Sequence, residues 1–238
     1  MISPTPQTSP TQQADPVDET QAPRVSFGHP GVTELFALLA YGEVAAFYRL
    51  TEEARMAPNL AGRINMASMA AAEMGHYEVL NEALAARGVD TVPAMTRYAS
   101  ALENYHRLTT PSTWLEALVK TYVGDALAAD FYLQIADALP AEAADVVRSV
   151  LAETGHSQFV VAEVRAAVTG SDRQKHRLAL WSRRLLGEAI TQAQFVLADH
   201  DELVDLVISS SEGLAQLSEF FDQLQSTHAS RMRELGLA

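Results

Sequence analysis

The 238-residue chain contains no cysteine, which excludes a disulfide framework, a thiolate metal site and a thiol nucleophile. Any bound metal must be held by carboxylates and imidazoles, ligands that suit iron, manganese or zinc rather than copper(I) or an iron–sulfur cluster. Long apolar runs are also missing: charge interrupts every one within a few helical turns, so no segment reads as a membrane span. Positive charge is scarce, with 17 Lys and Arg against 30 Asp and Glu and a net charge of −13. An acidic surface of this kind disfavours a free polyanion as a general ligand. The first 27 residues, rich in Pro, Thr, Gln and Asp, lack the basic start and apolar centre of a signal peptide, and read as a disordered tail. The expected compartment is the cytoplasm.

What remains is rich in alanine and leucine and poor in β-branched runs and, after the first thirty residues, in Gly and Pro, a composition that favours helix. The spacing of Leu35, Leu38, Leu39, Phe47 and Leu50 predicts a first helix from Gly31 to about Met56. Pro58-Asn59 restarts the chain into a second helix to about Arg87, with Gly88 as its stop. The segment Val89–Thr110 is a crossover with one short helix around Ser100–Arg107. Thr110-Pro111 opens a third helix to about Leu139, and Pro140 a fourth to about Thr169-Gly170. Two further helices are expected at about 177–198 and 211–235. The fold class is therefore all-α, a four-helix bundle over about 31–170 with two additional C-terminal helices, together forming one domain from 28 to 238. A long connection between the second and third helices is the crossover of one bundle topology.

The chemistry lies in an internal repeat. Gly42-Glu43 is followed by Glu73-Met74-Gly75-His76, and Gly124-Asp125 by Glu153-Thr154-Gly155-His156. Each half thus pairs a helix bearing Gly-acid with a helix bearing Glu-x-Gly-His. Residues i and i+3 share one helical face, so each Glu-x-x-His pair can hold one ion. Glu43 and Asp125 supply a carboxylate from each of the other two helices, completing a two-metal set of Glu43, Glu73, His76, Asp125, Glu153 and His156. Both pairs are expected mid-helix among apolar residues, where ionisable groups are costly without partners or metal. Glu103 and His106 match the same motif but lie in the crossover without a counterpart, and read as a surface Glu and a polar His. Glu116 and Asp130 share a helix with Asp125, which is preferred on repeat position. Among Tyr48, Tyr77, Tyr122 and Tyr132, one turn before Asp125 puts Tyr122 forward as the catalytic residue.

At these residues the chain resembles the ferritin-like non-heme di-iron superfamily. Within it the chain is most similar to the actinobacterial branch related to tRNA isopentenyladenosine hydroxylases, the MiaE-like proteins, over about Val32 to Ile208. The resemblance implies a ferritin-like bundle and two Fe ions at the six ligands, with Glu73 and Glu153 bridging. Manganese accepts the same ligand set. It also implies a monooxygenase that draws on molecular oxygen and an electron-donating reductase to hydroxylate an unactivated C–H bond. The departure is Asp125, where Glu is usual, with a side chain one methylene shorter. The substrate is expected to be a modified tRNA base or a small hydrophobic molecule. For tRNA the one supporting feature is the basic run from Arg165 to Arg184, which holds 6 of the 17 basic residues. Two other readings compete: iron oxidation or peroxide removal, and a metal-stabilised scaffold that dimerises through the apolar face of Leu214, Leu217, Phe220, Phe221 and Leu224.

Overall fold

The computed structural model describes residues 25–152, 157–210 and 214–238. Among the described residues ten α-helices run in the order α1 (Pro30–Glu53), α2 (Leu60–Ala86), α3 (Thr91–Thr96), α4 (Ala99–Leu108), α5 (Trp114–Ala136), α6 (Ala141–Val150), α7 (Ser157–Val168), α8 (Asp172–Asp199), α9 (Asp201–Ser210) and α10 (Leu214–Glu234). There is no strand among the described residues, and the expected all-α bundle is what forms. None of the helices is long and apolar enough to cross a membrane, among the described residues.

Local chemistry sets the helix ends. The His29 ring accepts from Gly31 N–H at 3.0 Å, with Pro30 at the first helical position of α1. Asn59 Oδ1 accepts from Gly62 N–H at 2.8 Å and starts α2. Thr113 Oγ1 accepts from Glu116 N–H at 3.3 Å, while Glu116 Oε2 accepts from Ser112 N–H at 2.7 Å, so two orphan donors at the start of α5 are met together. Gly88 takes φ +72°, where it lets Val89 N–H return to Leu84 O at 3.0 Å and closes α2.

Helix α1 packs along α2 through a short 3-10 turn, while α5 lies against α6, α7 and α8, and α9 returns onto α1. At the α1–α9 crossing a Cβ on Gly31 would stand 2.4 Å from Glu202 O, so only glycine allows this approach. Two apolar cores result. One gathers Leu35, Leu39, Leu80, Leu84, Ile135, Val147 and Leu206. The other gathers Leu50, Met66, Leu118, Val123, Val160, Leu178 and Leu185. Each of α1, α2 and α5 passes from one core to the other. Glu43, Glu73 and His76 fall where α1 and α2 change core, whereas Asp125 lies between Val123 and Leu127 of the second core.

Several expectations shift in detail. The crossover holds two short helices, α3 and α4, instead of one. The fourth helix is not continuous: α6 ends at Val150 and α7 begins at Ser157, with residues 153–156 outside the described residues. A non-helical His200 (φ −136°, ψ 89°) separates α8 from α9, a helix the sequence pattern did not single out. Its ring lies 4.4 Å from that of Tyr98. The expected tail falls largely outside the described residues, but Val25 is buried and its N–H donates to Ala138 O at 3.2 Å.

Candidate metal centre

Glu43 comes from α1, and Glu73 and His76 from one face of α2. His76 Nδ1 lies 3.3 Å from Glu43 Oε2 and 3.3 Å from Glu73 Oε2. The three donors lie within 4.8 Å of one another, the one such group among the described residues. For carboxylate and imidazole donors about 2.0–2.2 Å from a metal, donor separations of up to about 4.4 Å are required, so small side-chain adjustments suit this cluster to one ion. Burial is the second argument for fit: Glu43 is 8% exposed, and an isolated acid pair in such a position is costly without a cation.

Protonation shows how the metal-free cluster manages that cost. Burial pushes Glu43 up to about 8, against the pull of His76, and the neighbouring Glu73 adds to the rise. Hydrogen bonds that the ring donates to Glu43 and then Glu73 raise His76 to about 10, against burial. Burial acts upward on Glu73 as well, but the hydrogen bonds of His76 and Glu43 outweigh it and hold this carboxylate below its ordinary value. Protons on Glu43 and His76 thus stand in for a cation at neutral pH. Both folded values lie above the unfolded ones of 4.5 and 6.5. Their contribution to stability is complete below those unfolded values and is lost as pH rises through about 8 and then about 10. An ion must displace the same protons, so metal affinity is expected to rise with pH from 7 to 10, with roughly two protons released per ion at pH 7. Calorimetry in buffers of different ionisation enthalpy reads that number, and release of none would refute the protonated cluster.

The remaining expected ligands are placed differently. Asp125 on α5 lines an open cavity, with 45% of its side-chain surface exposed, and its Oδ1 accepts from Arg49 Nη2 at 3.3 Å. Burial pushes it up to about 7, against the pull of Arg49. Glu153 and His156 lie outside the described residues. Glu116 is engaged by Arg177 at 2.8 Å and Asp130 by Arg231 at 2.7 Å, so neither alternative to Asp125 joins the cluster. Tyr122 Oη donates to Glu234 Oε2 at 2.6 Å. Tyr132 is the tyrosine that feels the Glu43 charge; burial first, then Glu43, raises its hydroxyl above the ordinary value. Tyr48 is 64% exposed, and Tyr77 packs against the first core.

Sequence reasoning missed a second polar group. Arg49 and Lys120 are 8% and 2% exposed, respectively. Arg49 NH1 donates to Glu53 Oε2 at 3.1 Å and to Thr121 Oγ1 at 3.0 Å, and Lys120 Nζ lies 3.7 Å from Glu53 Oε1. Burial, then Arg49, lowers Lys120 to about 8. A signal was present: Arg49 and Glu53 are an i, i+4 pair, but such pairs are common on solvated faces. Glu103 is exposed and accepts from Tyr41 Oη at 2.7 Å, as a surface Glu should. His106 instead lines the cavity, where burial, then Arg49 and Lys120, push it down to about 3 and keep it neutral.

The cavity has a volume of about 610 Å³. Its wall includes Glu43, Glu73 and His76, while Leu102, Phe131, Ile135, Leu186 and Leu203 are among its apolar lining. Several exposed arginines of the basic run meanwhile have partners within the chain. Arg177 binds Glu116, Arg184 donates to Leu108 O, and Arg165 NH1 donates to Glu234 O at 3.3 Å. In α10, Leu224 is buried in the second core, whereas the side chains of Leu214, Leu217, Phe220 and Phe221 lie outside the described residues.

A helical bundle with a carboxylate–imidazole cluster on facing helices defines the class: a ferritin-like protein with a cluster that could bind metal. Residues 28–210 match the family model described as ferritin-like domain, actinomycetes, and the chain belongs to that family. No curated protein matches it significantly.

Proposed function

We propose that this protein is an iron-dependent, oxygen-activating oxidoreductase of the hydroxylase type, acting on a small hydrophobic substrate. The observation that carries the reading is the position of Glu43, Glu73 and His76 in the wall of a largely apolar cavity of about 610 Å³. A volume of this order encloses a small-molecule ligand. Iron held there would supply the redox chemistry with oxygen, with electrons from a separate reductase. Glu43, Glu73 and His76 hold the ion; Asp125, Glu153 and His156 are proposed to complete the set in its second half. The apolar wall binds the substrate and excludes water, which protects a reactive centre from side reactions. Tyr132, near Glu43, is placed to hold or pass a proton at its hydroxyl. Tyr122, hydrogen-bonded to Glu234, supports α5 against α10, and a catalytic role for it would require that bond to open. A tRNA base is the less supported substrate, because the chain carries a net charge of −13.

Anaerobic loading with ferrous iron, followed by oxygen and Mössbauer spectroscopy, tests the reading. Iron that turns ferric and returns to ferrous with dithionite supports it, while iron that never changes oxidation state sinks it. Storage of many irons per chain would favour iron handling instead. Toluene and indole, with a chemical reductant, serve as apolar probes for product formation. Ala193→Phe, which fills the cavity from α8, is expected to cut that product by about 100-fold, the scale of an ångström-level misplacement, with iron loading unchanged. Equal turnover in the variant would move the substrate out of the cavity.

A further inference from the structure

The glycines of the two Gly-acid elements both face α4. A Cβ on Gly42 would stand 3.8 Å from Leu102 Cδ2, and one on Gly124 would stand 3.6 Å from Tyr105 Oη. The crossover helix thus sets an apolar side chain beside Gly42-Glu43 and a hydroxyl beside Gly124-Asp125. Leu102, Tyr105 and His106 all line the cavity. Tyr105 Oη and His106 Nδ1 are buried, and neither has a hydrogen-bond partner. The Thr109 hydroxyl on the same helix donates to the Tyr105 carbonyl at 2.6 Å. Buried polar atoms are nearly always paired, so two orphans on consecutive residues of one cavity wall mark a place for a polar ligand atom. The charges nearby are already matched, Arg49 with Glu53 and Asp125, and Lys120 with Glu53. An ionised ligand group would find no free counter-charge there. A neutral imidazole carries one donor and one acceptor, and a phenol can give or take a bond. A ligand hydroxyl can therefore bond to both residues, and a carbonyl can accept from both.

We propose that Tyr105 and His106 form a polar subsite of the cavity, which selects substrates carrying an uncharged hydroxyl or carbonyl group on an apolar body. This rests on the cavity reading above and deepens it by naming the substrate class. The polar group lies against α4 and Gly124, where no side chain fills the space. The apolar body runs past Leu102 toward Glu43, Glu73 and His76. Held this way, the substrate turns carbon, not oxygen, to the metal cluster, and the anchored group sets which carbon arrives there.

Titration of the full chain with naphthalene, 2-naphthol and 2-naphthoate, followed by fluorescence and calorimetry, tests it. The native chain is expected to bind 2-naphthol about tenfold more tightly than either of the others, the scale of one hydrogen bond to an otherwise unpaired group. Tyr105→Phe is expected to bind naphthalene as the native chain does and to lose most of the preference for 2-naphthol. Its Tm should hold or rise, because the hydroxyl removed has no partner. Gly124→Ala, which sets a methyl group before the hydroxyl, should lose the same preference with Tyr105 in place. A fall in Tm for Tyr105→Phe would give the hydroxyl a structural role and overturn the proposal. Equal affinity for naphthalene and 2-naphthol, or tighter binding of 2-naphthoate, would also overturn it; if Ala193→Phe still abolishes binding, the cavity reading stands. No probe bound, or binding that Ala193→Phe leaves unchanged, would overturn both.

Discussion

Replacing His76 with alanine is expected to lower the affinity of the cluster for the proposed metal by more than about 100-fold. Loss of a residue that merely orients a ligand costs about 10- to 100-fold, and His76 is itself a donor, so the direct effect exceeds that range. The geometry gives the reason. The imidazole is the one nitrogen that faces both Glu43 and Glu73, at 3.3 Å from each. Without it a buried and a half-buried carboxylate remain, and Glu43 keeps a proton instead of meeting a metal. His106→Ala is the matched control: it shares the cavity wall but stands outside the cluster, and the ion should stay. Metal content after desalting, compared for the two variants, gives the answer; equal retention in both would remove His76 from the site.

The second large effect is on stability. Glu53→Gln is expected to cost about 3–5 kcal/mol, because it leaves two buried cations with too little negative charge. Glu53 is 5% exposed and touches both Arg49 and Lys120. The double variant Glu53→Met with Lys120→Met should lose less than the two single changes added together, since it removes a pair instead of orphaning one member. Urea unfolding midpoints measure both. A loss below about 1 kcal/mol for Glu53→Gln would show that water reaches the group, as it does for surface pairs.

Much of this molecule was legible from residue pattern. Asn59, Gly88 and Pro140 mark real helix boundaries because capping and backbone restriction act locally, within a turn of the residue that causes them. The convergence of Glu43, Glu73 and His76 was legible because i, i+3 spacing puts two donors on one face and the Gly-acid element supplied the third. The Arg49 group was not legible. Its partner Thr121 is 72 positions away and Asp125 is 76, and nothing local distinguishes a buried arginine from a solvated one. The same limit applied to His106, whose neighbours in sequence are polar but whose neighbours in space are Arg49 and Lys120. The break between α6 and α7 was missed because the apolar spacing continues across it, from Val146 and Val150 to Val160. Periodicity records which residues are buried, and it does not record whether the backbone between them stays helical.

The hairpin of α1 and α2 has a consequence for how the protein assembles. All three donors of the first cluster lie on this one contiguous stretch, joined by a 3-10 turn, so bringing them together closes only a short loop. Contacts between neighbours in sequence form fast, and chains emerge from synthesis N-terminus first. The cluster can therefore gather on the nascent hairpin before α5 has been made. Asp125 and Thr121, which fix Arg49, arrive only with α5. An ion captured early would clasp the hairpin onto which α3, α4, α5, α6 and α9 later pack.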